Sequence, residues 1–281
     1  VENQGITGRV SWIALRITPE SNRDGVIAAL FESGSQGVQE DGATVVTHFP
    51  ADARIHEIRN AVIAADPRAD IAIADAPEVD YSLWRASVSL HQVGGLVIAP
   101  PWLAGGLDPD MAVIIDPVMA FGTGEHPTTR GAMRLMQSVI RPGDMVADLG
   151  AGSAVLSIAA IKLGAARVAA VEIDHDSIGN AEENVRTNSV GERVEVIEGD
   201  ATTLLPLLAP VRVIIANIIS SVIIAMLPLM RSSLAPGGQA ILAGILTEEK
   251  EAMVAELVKG EWSIEREDTE DVWWSVQIAP R

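Results

Sequence analysis

The residues best suited to chemistry in this chain sit on turns that follow apolar runs. Asp148-Leu149-Gly150-Ala151-Gly152-Ser153-Ala154 lies where the run Met145 to Leu149 gives way to a helical pattern. Glycines there let the backbone approach a ligand closely, and Gly150 and Gly152 are the candidates for that contact. As a dinucleotide fingerprint the turn fails at its sixth position, which is Val155 rather than glycine or alanine. Glu172 closes the next apolar run, 22 residues beyond Gly150. A carboxylate at that spacing can accept hydrogen bonds from both hydroxyls of a ribose. The plainer reading is an exposed acid at a strand end. Asp174 and Asp176 suit the turn and cap of the helix that follows. Upstream, Gly122 and Gly124 shape a loop before Thr128-Thr129, which open a helix with hydroxyls and free amides. Such a helix start favours a carboxylate. His126 invites a reading as a base, although a hydrogen-bonding role at the helix start suits it better. Asn217 ends a fourth apolar run, either as a satisfied buried amide or as a polar group facing a pocket.

These positions must be held by a regular scaffold, and the pattern predicts one. From Met111 onward, apolar runs at Met145 to Leu149, Arg167 to Glu172, Val194 to Ile197, Val211 to Ala216 and Gln239 to Ala243 read as strands. Helical segments at Ala154 to Leu163, Ser177 to Asn188 and Ile218 to Leu234 fall between them. That alternation implies a parallel sheet covered by helices on both faces. Ser263 to Glu267 and Val272 to Ile278 add a terminal hairpin, which suggests a seven-stranded sheet with one antiparallel edge. Before it, Arg9 to Ile17, Pro19 to Phe31, Gly37 to Glu40, Thr44 to Phe49, Ala51 to Ala65 and Asp70 to Ala74 read as β-α-β-β-α-β, with Asp41-Gly42 as the hairpin turn. That order predicts a small ferredoxin-like α+β domain over residues 1–76. Residues 77–110 mix tryptophan anchors with Pro100-Pro101 and Gly105-Gly106, and read as a linker region that packs onto a second domain at 111–281.

Composition narrows the class further. A chain of 281 residues that is 48% apolar can bury two cores. With no cysteine, disulfides, thiolate nucleophiles and cysteine-bound metals are excluded. A formal net charge of −18 repels phosphate backbones, so direct nucleic-acid binding is not expected, and it favours a basic partner. The apolar stretch Val211 to Met230 is broken by Arg212, Asn217, Ser220, Ser221 and Pro228. It reads as a buried strand and helix rather than a membrane span, and a cytoplasmic protein is expected.

Three segments carry a family resemblance. Asp116-Pro117-Val118-Met119-Ala120-Phe121-Gly122-Thr123-Gly124-Glu125-His126-Pro127-Thr128-Thr129-Arg130 and Ala216-Asn217-Ile218-Ile219 resemble the signatures of the ribosomal protein L11 methyltransferase family. The tryptophan region Leu83 to Trp102 matches more loosely. The resemblance covers about Asp116 to Leu246, and departs from the family pattern at Ala154 and Val118, where glycine is usual. It implies a class I methyltransferase fold with a Rossmann-like seven-stranded sheet, preceded by a separate substrate-recognition domain, which residues 1–76 match by pattern. It also implies S-adenosyl-L-methionine as cofactor, no metal, and N-methylation of lysine or N-terminal amines on ribosomal protein L11. Thr129 is then expected to contact the methionine part of the cofactor, Gly150 and Gly152 to lie against it, and Glu172 to hold the ribose. Asn217 is expected to face both cofactor and amine, as the catalytic residue. Asp200 would meet the adenine amino group, or be a loop acid. A related enzyme acting on another protein, such as an electron-transfer flavoprotein subunit, and an inactive methyltransferase-like binding protein remain open at this point.

Overall fold

The computed structural model describes residues 12–35, 37–50, 53–75, 88–116 and 124–281. Residues 9–11 of the first expected strand, residues 77–87 and Pro117 to Thr123 of the signature lie outside the described residues. The chain divides into two compact units, Val1–Ala86 and Ser87–Arg281.

The first unit is a four-stranded antiparallel sheet with two helices. Its strands are β1 (Trp12–Thr18), β2 (Gln39–Asp41), β3 (Thr44–Pro50) and β4 (Asp70–Asp75), in the order β2-β3-β1-β4. The helices α1 (Arg23–Glu32) and α2 (Ile55–Ala65) complete the ferredoxin-like order predicted from sequence. The core is local to the unit and includes Leu15, Ile17, Leu30, Val45, Phe49, Ile58 and Val62. Helix α1 starts four residues later than expected from Pro19, because Asp66 holds the preceding turn open. Its carboxylate accepts hydrogen bonds from the backbone N–H groups of Glu20, Ser21 and Asn22 at 2.9, 2.7 and 3.0 Å. The Ser21 N–H above all keeps the Asp66 carboxyl well below the usual carboxylate range. Asn22 then caps the helix by accepting from the Gly25 N–H. The β2–β3 loop is Gly42-Ala43, one residue later than the sequence suggested. Asp41 pairs with Thr44, and Gly42 takes the positive φ of +60° that the turn needs.

In the second unit, β5 (His91–Val93), β6 (Leu96–Ala99) and β7 (Ala112–Ile114) form a small three-stranded sheet. Residues 88–110 therefore hold two paired strands where the sequence suggested a linker. Prolines and glycines punctuate that stretch and mask two short strands, although Val93, Leu96 and Ile98 are buried. Helix α3 (Pro127–Val139) follows, and then the large sheet.

That sheet comprises β8 (Met145–Leu149), β9 (Arg167–Glu172), β10 (Val194–Glu198), β11 (Val211–Asn217), β12 (Leu234–Leu246), β13 (Trp262–Glu270) and β14 (Trp273–Pro280). Their order is β10-β9-β8-β11-β12-β14-β13. Strands β8 to β12 pair in parallel, and β14 runs antiparallel to both neighbours. The reversed strand is thus internal, not at the edge as expected. Helix α8 (Lys250–Lys259) carries the chain past β12 and sets β13 outermost, and β14 then fills the gap between them.

Period-two alternation along the strands sends side chains to two cores. Val146, Val213, Ile215, Ile241 and Ala243 meet α3, α4 (Val155–Lys162) and α5 (His175–Thr187) on one face. Ala147, Leu149, Ile214, Ala216 and Leu242 meet α6 (Ala201–Leu208), α7 (Ser220–Ser233) and α8 on the other. The stretch from Val211 to Met230 forms β11 and most of α7. Among the described residues no helix is long and apolar enough to cross a membrane.

Candidate functional site

The parallel strands end at one edge, and the strand order reverses between β8 and β11. A crevice opens at such a switch point. Leu149 pairs with both Val171 and Ala216, so Gly150, Glu172 and Asn217 each stand one residue further along three adjacent strands. The Gly150 and Ala151 N–H groups donate to the Val171 carbonyl at 2.8 and 3.0 Å, which folds the glycine turn back over β9.

Glu172 is buried and fixed by backbone amides. Its Oε2 accepts from the Gly152 N–H at 2.8 Å, and its Oε1 accepts from Ile173 and Asp174 at 2.8 and 2.9 Å. A carboxylate offers about four acceptor positions. Among the described residues Oε1 receives two donors and Oε2 one, so capacity for a further hydroxyl remains at Oε2.

The glycine turn is crowded by the protein itself. Gly150 has φ +74°, and a Cβ built there would fall on Cγ2 of Ile218. Ile218 also lies over Gly244, whose Cβ would strike the Ile218 carbonyl oxygen. Gly150→Ala should therefore destabilise the fold by about 3 kcal/mol, combining left-handed strain with overpacking. Urea unfolding would measure it, and a loss under ~1 kcal/mol would contradict the packing account. Ala154, the departure from glycine, takes φ +64° and is fully buried at the start of α4. The fold holds it in a conformation that costs an alanine about 1 kcal/mol.

Asp148 sits beneath this turn, 1% exposed, and the sequence reading assigned it no role. Its Oδ2 accepts from the Ser157 hydroxyl at 2.6 Å. Burial pushes its pKa up to about 6, helped by the charge of Glu172 and opposed by the Ser157 hydrogen bonds. A carboxyl that binds its proton more tightly when folded adds stability below about pH 4 and loses that contribution as pH rises through about 6. Asp148→Asn should gain on the parent by about 2 kcal/mol between pH 4.5 and 7.5. Urea midpoints at the two pH values test this, and a pH-independent difference would refute it.

At the start of α3 the arrangement differs from the expected carboxylate-binding helix end. His126 is the N-cap; its Nδ1 accepts from the Thr128 N–H at 3.3 Å and lies 2.7 Å from the Thr128 hydroxyl. Its carbonyl takes the Thr129 and Arg130 N–H groups at 3.1 and 3.3 Å, and Pro127 has no N–H to offer. The first-turn amides are thus already engaged. Burial, and then the charge of Arg130, lowers the His126 pKa, which favours the neutral ring that accepts at Nδ1. Thr129 is fully buried, and its hydroxyl lies 3.5 Å from Nδ2 of Asn217, long for a hydrogen bond. Arg130 bonds Glu270, and Arg134 bonds Asp268 and Glu270, which fastens α3 to the end of β13. Asp174 and Asp200 are N-caps of α5 and α6, accepting from Asp176 and Thr202. The first outcome follows the sequence reading; the second gives Asp200 a structural use.

A seven-stranded sheet of this order, with a glycine turn after its first strand and a buried acid ending its second, defines a class I methyltransferase. The family model for ribosomal protein L11 methyltransferase (PrmA) matches residues 20–280, and the chain belongs to that family. The match takes in the N-terminal unit, beyond the stretch that carried the resemblance. The ribosomal protein L11 methyltransferase of Thermus thermophilus is 33% identical over 250 residues, 85% of this chain and 92% of that protein. Its counterpart from an Exiguobacterium species is 36% identical over 210 residues, covering 74% of this chain and 67% of that one. The solved ribosomal protein L11 methylase of Lactobacillus delbrueckii subsp. bulgaricus superposes with a TM-score of 0.63 at 28% identity, over 69% of this chain and 100% of that one. The chain is an S-adenosylmethionine-dependent methyltransferase.

Proposed function

We propose that this enzyme methylates amino groups of ribosomal protein L11, with the cofactor seated at the carboxyl edge of β9, β8 and β11. The observation that carries the reading is the convergence of Gly150, Glu172 and Asn217 on three adjacent strand ends at the switch point. Glu172 fits a ribose through the acceptor capacity left at Oε2 among the described residues, and Gly152 lets the turn's backbone come close to a nucleoside, while Gly150 makes room for Ile218. Thr129 lies beside the Asn217 amide and borders the methionine end of the cofactor. The acidic balance of the chain suits a basic protein substrate. Such a substrate places the reaction in the cytoplasm.

When bound, S-adenosylmethionine supplies an electrophilic methyl group on a sulfonium. The chain's part is to present a neutral amine to it. Holding a free lysine neutral at pH 7 costs about 4.6 kcal/mol, and an α-amino group about 1.4 kcal/mol. Asn217 points Nδ2 toward Thr129, and among the described residues its Oδ1 receives no hydrogen bond. That oxygen accepts an N–H of the amine and aims its lone pair; an amide is too weak a base to take the proton, which leaves to water before attack. The test is mass spectrometry of purified L11 after incubation with enzyme and cofactor. A gain in steps of one methyl group is expected, and an unchanged mass would refute the reading.

A further inference from the structure

Helix α5 carries Asn180 and Asn184, and Asn188 is its C-cap, at four-residue spacing along one side. Asn188 treats Ile114 as a neighbouring strand would: its Oδ1 accepts from the Ile114 N–H at 2.8 Å, and its Nδ2 donates to the Ile114 carbonyl at 2.6 Å. One turn earlier, Oδ1 of Asn184 accepts from the Asp116 N–H at 2.9 Å. Asn180 adds a longer contact, 3.5 Å, to the Asp116 carbonyl. The match has a simple geometric origin. Four residues of helix rise about 6 Å, close to the roughly 6.6 Å between alternate residues of a strand. The other edge of β7 is already paired with β6, so the asparagines stand in for its missing neighbour.

Asn184 does one thing more. Its Nδ2 donates to the Ser153 carbonyl at 3.0 Å, inside the glycine turn, and the side chain is 1% exposed. Ser153 lies between Gly152, whose N–H holds Oε2 of Glu172, and Ala154, which is kept in a left-handed conformation. We infer that Asn184 is a positioning residue for methyl transfer, tying the backbone at Asp116 to the glycine turn at Ser153 and so setting the Gly152 amide against Glu172. The inference rests on the reading of that turn as the cofactor seat. Asn188 is the internal comparison, because it supports the same strand without touching the turn.

Calorimetric titration with S-adenosylmethionine tests it on the full chain. Asn184→Leu should weaken binding about tenfold, the equivalent of ~1.4 kcal/mol, and raise the KM for the cofactor more than it lowers kcat. Asn188→Leu, with a comparable fall in Tm, should stay within about threefold of the parent in both, since its lost hydrogen bonds lie outside the turn. Cofactor affinity within about twofold of the parent in Asn184→Leu, or equal losses in the two variants, would overturn the inference. A parent that binds no S-adenosylmethionine would instead overturn the cofactor reading and this inference with it. Should Asn184→Leu not fold, hydrogen exchange on the parent decides. The Asp116 and Gly152 amides should gain protection together when S-adenosylmethionine is added, and a gain at Gly152 alone would refute the coupling.

Discussion

Asn217→Ala is expected to lower kcat about 100-fold while leaving the dissociation constant for S-adenosylmethionine within a few fold of the parent. The separation follows from position. Asn217 ends β11, whereas Glu172, the proposed ribose acceptor, and the turn at Gly150 and Gly152 belong to β9 and the β8 end. Truncation removes the acceptor that aligns the amine and leaves the sugar-side contacts in place. Little stability should be lost, because among the described residues the side chain gives up just the 3.5 Å contact to Thr129. Single-turnover rates and calorimetry on the same preparation measure the two quantities. Near-normal turnover would remove Asn217 from the mechanism, and a matching loss of cofactor affinity would make it a cofactor anchor instead.

The second large effect is expected on cutting the chain at the boundary between its units. Residues 87–281 should still fold and bind the cofactor, yet methylate L11 poorly, by a factor of about 10²–10⁴, because the N-terminal unit is proposed to hold the protein substrate near the site. The division is physically reasonable. The buried residues of the first core run from Leu15 to Ala69, and those of the two cores flanking the large sheet run from Val93 to Ile278. Each unit thus buries its own apolar surface. Retained methylation of L11 by residues 87–281, at a rate near that of the whole chain, would refute a substrate-holding role for the N-terminal unit.

Much of this architecture is legible in the sequence because the strands at its centre are short, apolar and separated by helical periodicity. The ends expected for β8 and β9 coincide with those observed, and β10 and β11 each extend one residue further. Spacing alone singles out Glu172, and the structure places it buried at the end of β9 with its carboxylate on the Gly152 amide. Helices α6 and α8 escape notice for different reasons. In α6, Pro206 interrupts an eight-residue helix, and α8 follows an acidic turn without a break in polarity. The strands at 91–93 and 96–99 are hidden by the prolines and glycines around them.

What the sequence by itself determined is the fold class, the two-unit division in outline, and which strand ends bear polar residues. Those follow from periodicity, because alternation records which face of each element is apolar. Only the tertiary structure decided that β14 slips between β12 and β13, and that Ile218 fills the space above Gly150. It also decided that His126 consumes the amides of α3 and that Asn184 joins Asp116 to Ser153. Each of these depends on a partner distant in the chain. A residue's own type limits what it can bond to, but the packing of helices against the sheet selects which atom arrives.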